Sequence, residues 1–528
     1  MPVVTLLDHA ALVAALRDAK RFSHPVSKIE VIETHISSVI LTGDYAYKLK
    51  KPVNLGFLDF TTLDARRRCC EDELRLNRRT APGLYLEVVA ISGSPEDPVV
   101  GGTGPAVDYA VRMRQFAPQD TLDCVLRRGA LDAACVDTLA ATVAAFHGTL
   151  PATAPAAAFG APATVRAAAI DNFEHIERLA PHPQSRASLA RLRSWSENEF
   201  AQVQPVVAQR RAEGFVRECH GDLHLGNVAL VDARPVLFDC IEFNESFRWI
   251  DVISEVAFMT MDLADHGEPG FAFRFLNRYL EATGDYGGIA VLRFYLVYRA
   301  MVRGKIALIR TRQPDHSAEV ARRSVETFDE YLRLAESITR RPPRALILTC
   351  GLSGSGKTSA AQSLLEALGA VRLRSDIERK RLHGLAADAR TGSAPGAGLY
   401  AARRTHATYD RLAGLARQLL PCGFAVIVDA TFLRRAERRA FRDLARGADA
   451  RFRILAFEAP LAVLRERIVA RERAAADASE ATLEVLERQI AAREPLGPEE
   501  LGDAVICDTS DAGQAAGALA ALAAQLRA

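Results

Sequence analysis

The chain has 528 residues, of which 49% are hydrophobic and 25% charged, and its formal net charge is +2. That length exceeds one ordinary core and predicts two or three domains, while the composition excludes a disordered or fibrous protein. The near-neutral balance excludes a broad polyanion-binding surface, and nine cysteines without CxxC pairing exclude a disulfide-rich secreted scaffold, so a cytoplasmic protein is expected.

Near the N-terminus Asp8, His9 and Arg17 interrupt the apolar residues, and no run approaches the roughly 20 apolar residues that span a bilayer, so neither a signal peptide nor a membrane segment is expected. Leu6, Leu7, Ala10, Val13 and Leu16 recur at helical spacing and predict a scaffold helix within residues 1 to 22. From Lys28 the pattern changes to three short β-rich runs, KIEVIETH, SSVIL and YAYKLKK, joined by turns at Ile36-Ser37 and Thr42-Gly43-Asp44. A helix bearing Glu71, Asp72, Glu73, Leu74 and Leu76 follows, then two strands, LYLEVVAI and PAVDYAVRMRQF. The backbone around Val111 to Met113 is a candidate hinge for holding an adenine, with a plain edge strand as the alternative. Residues 134 to 148 predict a helix, 150 to 164 an Ala/Pro-rich loop, and 165 to 212 further helices.

Those helices lead into His220 to Asn227, HGDLHLGN, and a dozen residues on come Leu237, Phe238 and Asp239. One aspartate can accept a hydroxyl proton, while an asparagine and a second aspartate offer oxygen ligands to Mg²⁺. Phosphoryl transfer needs little more than that positioning and charge. A turn capped by Asp and Asn is the plain alternative, and six specified positions followed by an apolar strand weigh against it.

This stretch resembles the aminoglycoside phosphotransferase and choline kinase families, whose HGDxHxxN loop and downstream metal aspartate match His220, Gly221, Asp222, His224, Asn227 and Asp239. The resemblance implies an α+β, protein-kinase-like bilobal fold, with Asp222 as catalytic base, Asn227 and Asp239 as Mg²⁺ ligands and ATP as donor. Ala46 and Lys48 then repeat the small-residue-then-lysine spacing of a kinase third strand, which makes Lys48 the phosphate lysine and Lys50 its runner-up. Glu73 is the candidate partner that orients the lysine, against the alternative of a solvated acidic helix face. His220 is read as a packed support without a proton-transfer role. Further on, Asp251 and Glu255 sit one helical turn apart, and the resemblance implies for Asp251 a structural role in support of the catalytic loop.

Thr339 to Pro343 breaks the long helical pattern that follows, and no internal repeat appears, so a second and different domain is expected to begin there. The apolar run ALILTC enters Gly351-Leu352-Ser353-Gly354-Ser355-Gly356-Lys357-Thr358, a GxxxxGKT between strand and helix. Its backbone N–H groups can cradle a phosphate, Lys357 can reach the outer phosphates and Thr358 can bind Mg²⁺. AVRLRSD and AVIVDAT end in Asp376 and Asp429, at the strand ends where ligands bind in open α/β sheets, and Asp429 is a further candidate metal ligand. Arg467 and Arg471 lie one turn apart on a helix and suit a closing lid over nucleotide phosphates, with an exposed basic face as the alternative. Only eight lysines occur, at 20, 28, 48, 50, 51, 305, 357 and 380, and four of them fall where a nucleotide phosphate is expected.

This second half resembles P-loop kinases of the polynucleotide kinase, zeta toxin and gluconate kinase type. The resemblance implies an α/β P-loop NTPase fold with a parallel sheet, and it places the acceptor-activating aspartate at Asp376. The expected acceptor region, Arg390 to Tyr400, is Gly/Ala-rich and departs from any recognisable side-chain code. The chain is thus expected to be a phosphotransferase domain over 1–340 fused to a P-loop domain over 341–528, with ATP and Mg²⁺ at two sites. A small hydroxylated molecule is the expected acceptor for the first domain. The second would hydrolyse ATP, phosphorylate a second small substrate or, alternatively, act as a nucleotide-sensing regulatory module.

Overall fold

The short β-rich runs from Glu30 to Lys50 form three strands, of which the first is mostly exposed and the second and third are buried on nearly every residue. They open a six-stranded antiparallel sheet in the computed structural model, which describes residues 5–56, 58–154, 157–180, 182–311, 317–387, 389, 402–474 and 482–527, without the side chains of 402, 471–474 and 512. The chain divides into two compact units, Met1–Asp262 with Phe294–Arg333 and Leu263–Arg293 with Leu334–Ala528.

In the first unit, β1 (Glu30–Glu33), β2 (Ser37–Leu41), β3 (Tyr45–Lys50), β4 (Tyr85–Gly93), β5 (Pro98–Val100) and β6 (Ala106–Arg114) are ordered β1-β2-β3-β6-β4-β5. The helix Leu63–Asn77 begins where Thr62 Oγ1 accepts a hydrogen bond from the Ala65 N–H, and it buries Cys70, Glu73, Leu76 and Asn77. Strand β6 is central. Val111 pairs with Lys48 on one side and Val88 on the other, and Met113 with Ala46 and Tyr85, so neither the hinge nor the edge expected at Val111 to Met113 lies there. The backbone leaves the ladder only after Arg114, where the Gln115 N–H turns back to Asp44 O.

Beyond the sheet, β7 (Val216–Glu218) precedes the HGDLHLGN stretch, and the hairpin of β8 (Val228–Val231) and β9 (Arg234–Leu237) delivers Asp239. Asp251 ends a three-residue strand, β10 (Trp249–Asp251), paired with β7, rather than opening a helix. Three residues are too few to show a sequence period.

The second unit is built on five parallel strands, β11 (Ala345–Cys350), β12 (Val371–Arg374), β13 (Val426–Asp429), β14 (Arg451–Glu458) and β15 (Ala504–Asp508), in the order β12-β13-β11-β14-β15. Strands β11, β12 and β13 are buried throughout; β11 and β13 are largely apolar runs, whereas β12 alternates Val371 and Leu373 with the buried Arg372 and Arg374. The open edge of β12 is covered from within the same unit by the helix Pro269–Thr283, which lies well before the boundary expected near 340. Asn277 acts there as a substitute strand: its Oδ1 accepts from the Arg372 N–H at 2.7 Å and its Nδ2 donates to Ala370 O at 2.8 Å. Phe273, one turn earlier on that helix face, packs against the sheet's core. No described helix is long and apolar enough to cross a membrane.

Candidate active sites

Lys48 lies mid-strand on β3, so its direction is fixed by the pleat, and Lys50 two residues on shares its face. Both reach Glu73 on the helix behind the sheet: Lys48 Nζ is 2.8 Å from Oε1 and Lys50 Nζ 2.5 Å from Oε2. Lys48 also pairs with Asp239, and Lys50 with Glu242. Burial works against charge on both lysines, and the surrounding carboxylates outweigh it and raise both above the ordinary range. The solvated-face alternative for Glu73 does not hold, because its side chain is wholly buried.

The HGDLHLGN turn is held from below by Glu255. Its Oε1 accepts from the His220 N–H at 3.1 Å and from His147 Nε2 at 2.9 Å, and its Oε2 accepts from the Gly221 N–H at 2.6 Å. Burial opposes that charge, and the two histidines with the Gly221 N–H bring the Glu255 carboxyl down to about 2. Cys219 joins Glu255 and His147 in one buried cluster, but both Glu255 oxygens already accept from N–H donors, so the cluster reads as a brace. Gly221 has φ +90°, and a Cβ there would meet Phe247 O at 2.9 Å, so the turn requires glycine.

Asp222 presents its carboxylate beside His224, whose Nε2 is 3.4 Å from Oδ2, and Asn227 Nδ2 donates to the same oxygen at 3.1 Å. Because His224 Nδ1 accepts from the Gly226 N–H, Nε2 carries the proton that faces Asp222. Burial pushes the Asp222 carboxyl upward, yet His224, Arg303 and His220 prevail and hold it well below the usual carboxylate range. Asp239 has the left-handed φ of +65° and donates its N–H to Tyr85 Oη at 3.1 Å, so the end of β9 is pinned in a costly conformation. Asn227 turns its amide nitrogen toward Asp222, donating to its backbone O at 2.9 Å and to Oδ2 at 3.1 Å. His35, on the turn between β1 and β2, lies within electrostatic reach of Asp222 and Asp239; burial, ahead of Arg310, lowers its pKa.

The structure therefore brings Lys48, Glu73, Asp222, Asn227 and Asp239 into one group. Lys50, Glu242, Glu255, His224 and His35 complete it. Of these, Lys50 is legible as the runner-up lysine and His224 as a member of the loop motif, whereas Glu255 is noted only by its spacing from Asp251, without a role. Asp251 itself is occupied by Arg210, at 2.8 and 2.9 Å, and by the Ile253 N–H.

In the second unit, Gly351 has φ +150°, and a Cβ would meet Phe457 O at 2.7 Å and Ser355 Oγ at 2.9 Å. Gly354 and Gly356 continue the turn into the helix Lys357–Leu368. Ser355 Oγ is buried and has no hydrogen-bond partner among the described residues, an orphan that a phosphate oxygen would satisfy. Lys357 Nζ donates to Leu352 O at 2.7 Å, closing the loop upon itself. Thr358 Oγ1 donates to Asp429 Oδ2 at 2.9 Å, so a hydroxyl and a carboxylate converge at the C-terminal edge of the sheet. Asp376 opens the helix Ser375–Arg381 and pairs with Arg379 at 2.9 Å.

Arg467 is no free basic face: it donates to Gly354 O and to Thr509 Oγ1 and O, tying the helix Leu461–Ala474 to the phosphate loop and the end of β15. The Arg471 side chain and residues 390–400 lie outside the described residues. A cavity of about 330 Å³ adjoins the loop, lined by Leu352, Ser355, Phe457, Leu464, Arg493 and Asp508.

A family model described as phosphotransferase enzyme family matches residues 124–295, and one described as AAA domain matches 346–496. Uncharacterized proteins of Mycobacterium tuberculosis (Rv2004c) and Mycobacterium bovis (Mb2027c) are each 31% identical over 470 residues, 88% of this chain and 90% of theirs. Among solved structures, a choline/ethanolamine kinase family protein from Mesorhizobium loti aligns over 63% of this chain and 100% of its own, at 13% identity and a TM-score of 0.35. A gluconokinase from Sinorhizobium meliloti aligns over 35% of this chain and 97% of its own, at 23% identity and a TM-score of 0.25.

Proposed function

We propose, for a chain that belongs to one family with its mycobacterial relatives and in which a phosphotransferase enzyme family domain precedes an AAA-type P-loop kinase domain, that each domain binds Mg-ATP and that the first phosphorylates a hydroxyl of a small molecule. The observation that carries this reading is the convergence of Lys48, paired to Glu73, with Asp222, Asn227 and Asp239. Lys48 holds donor phosphates as a compact charge. Asn227 and Asp239 would hold Mg²⁺, which supplies charge neutralisation on the phosphates when bound. Asp222, ionised at any working pH, orients the acceptor hydroxyl and takes its proton as that oxygen bonds to the γ-phosphorus and the bond from the γ-phosphorus to the bridging oxygen breaks, releasing ADP. The acceptor class is an aminoglycoside, sugar or amino alcohol.

The second domain cradles phosphate on Gly351 to Gly356, with Lys357 on the outer phosphates, Arg467 at the loop, and Thr358 with Asp429 as the cation pair. It either hydrolyses ATP or transfers phosphate to a second small molecule with Asp376 as base. The regulatory alternative predicts nucleotide binding there without any acceptor.

The test is transfer of labelled γ-phosphate from ATP to a library of hydroxylated small molecules by the full chain, with Asp222→Ala and Lys357→Ala beside wild type. An acceptor labelled by wild type and by Lys357→Ala but not by Asp222→Ala supports the reading. A library in which Asp222→Ala labels every acceptor that wild type labels refutes the assignment.

A further inference from the structure

We propose that the acceptor of the first domain is anionic: a hydroxylated small molecule bearing a carboxylate or phosphate group, held by Arg303 and Arg310 beside Asp222. Of the acceptor classes named above, this keeps the sugar, in acidic or phosphorylated form, and rejects cationic aminoglycosides and amino alcohols. It rests on the reading of that domain as a small-molecule kinase with Asp222 as base.

The helix Ile289–Arg310 carries arginines at 299, 303 and 310, spacings that put all three on one stripe of its surface. The stripe follows the catalytic turn. Arg299 is committed to it: Nη1 donates to Gly221 O at 3.2 Å, and Nε to Ser254 O and Oγ, each at 3.3 Å. Arg303 is only partly committed. Its Nε donates to Tyr331 Oη at 3.2 Å, while its Nη1 stands 3.4 Å from His224 Nε2. That ring nitrogen carries the proton that faces Asp222, so it offers Nη1 no acceptor. Arg310, exposed at the end of the helix, makes no hydrogen bond or ion pair among the described residues.

Neither guanidinium is paired to a described carboxylate. Burial opposes the Arg303 charge, and Tyr331, Asp262 and Asp222 outweigh it from a distance; Asp222 is itself met by His224 and Asn227, and Asp262 Oδ2 accepts from the Leu225 N–H at 2.9 Å. Partial burial, and after it the like charge of Arg303, lower the Arg310 guanidinium. His35 lies within reach of Arg310 on one side and of Asp222 and Asp239 on the other, and the remaining cation near it, Lys51, is paired with Glu33 at 2.8 Å. Like charges so placed repel each other, and an anion beside both turns the repulsion into attraction. A carboxylate or phosphate meets a guanidinium with two oxygens at once, whereas a cationic acceptor would enter the same space against both arginines. Lys48 and Asp239 serve the donor phosphates from β3 and β9, while the arginine stripe reaches Asp222 from the side of His224. The arginines bind and do not react: the acceptor hydroxyl oxygen bonds to the γ-phosphorus, the bond to the bridging oxygen breaks, the proton passes to Asp222 and ADP leaves. The anionic group stays unchanged and fixes which hydroxyl faces Asp222.

The test is transfer of labelled γ-phosphate by the full chain to a library of hydroxylated small molecules built in matched sets, such as glucose, glucosamine, gluconate and glucose 6-phosphate. Only products that Asp222→Ala fails to form are counted. Within a set the anionic member should exceed its neutral and cationic counterparts about tenfold in kcat/KM, and the carboxylate and phosphate members show which of the two groups is taken. Arg310→Met, at an exposed position, should raise the KM for that acceptor about tenfold while the KM for ATP stays within about twofold. Arg310→Glu should lower the preference for the anionic over the neutral member about 100-fold, a change that loss of folding alone would not produce.

A neutral or cationic member that matches or exceeds its anionic counterpart overturns the proposal, as does an acceptor KM unchanged in Arg310→Met. A rise in the KM for ATP in its place assigns the arginine to the donor phosphates and overturns it equally. In each of these cases Asp222-dependent transfer is still seen, so the kinase reading stands and only the acceptor class falls. If no member of the library is labelled in an Asp222-dependent way, the kinase reading falls and takes this proposal with it.

Discussion

Replacing Glu255 by glutamine changes one oxygen to an amide nitrogen in a site that has only donors to offer. The carboxylate accepts from the His220 and Gly221 N–H groups and from His147, and it is fully buried. Glutamine keeps one acceptor and turns its NH₂ on the remaining donors, leaving at least one N–H unpaired. Burial disfavours the charge, yet the folded carboxyl titrates at about 2 against an ordinary 4.5, a depression that amounts to about 3 kcal/mol of stabilisation at neutral pH. Since the folded value is lowered, this contribution is complete above about pH 4.5 and is lost as pH falls toward 2; by pH 3 roughly 2 kcal/mol of it has gone.

Calorimetry of the full chain should show the first unit's transition about 5 °C lower in Glu255→Gln at pH 7, for a unit of about 300 residues. The gap from wild type should narrow toward pH 3. Because the same bonds set the position of Asp222, phosphoryl transfer should fall about 10²-fold. Equal melting at pH 7, or a gap that does not change between pH 7 and pH 3, refutes the reasoning.

Asp222→Ala should cut acceptor phosphorylation by about 10² to 10⁴ while nucleotide still binds, as transfer and binding assays on the same preparation would show. Asp239→Asn should weaken Mg²⁺-dependent nucleotide binding at the first site; metal titrations that superimpose on wild type would contradict the ligand role. Lys357→Ala should abolish nucleotide binding at the P-loop yet leave the first domain's transfer within about threefold of wild type, since each site carries its own lysine, cation ligands and base. Loss of transfer in that folded variant would mean one composite centre.

How much of this could be read in the sequence depends on how far apart the interacting residues lie. HGDLHLGN and GLSGSGKT are legible because turn geometry, base and ligands are set within a few residues, and each glycine announces a backbone that a side chain would block, as at Gly221 and Gly351. Lys48 and Glu73 are legible only as candidates, since their meeting depends on packing a helix 25 residues away against the sheet. The hinge is misplaced for a related reason. PAVDYAVRMRQF shows strand periodicity but not the number of its neighbours, and a strand paired on both sides has no backbone to spare. Glu242 and Glu255 carry no local signal of partnership with Lys50 or the Gly221 N–H.

The same distance argument bears on where a domain ends. Thr339 to Pro343 breaks a helix, and a break in periodicity is what a sequence can show. Compactness is decided by which surfaces bury each other, and the helix Pro269–Thr283 turns Phe273, Asn277 and Glu281, spaced four apart on one face, to the edge of β12. That edge has backbone groups at Ala370 and Arg372 that need partners, and Arg372 needs a carboxylate. A chain cut near Arg340 would keep the helix in one fragment and the strand in the other. It would expose an apolar and acidic face in the first piece and an unpaired strand edge with a buried arginine in the second. Point variants at Lys357 and Asp222 therefore test the independence of the two sites more cleanly than separated halves, whose loss of activity would follow from the broken β12 edge alone.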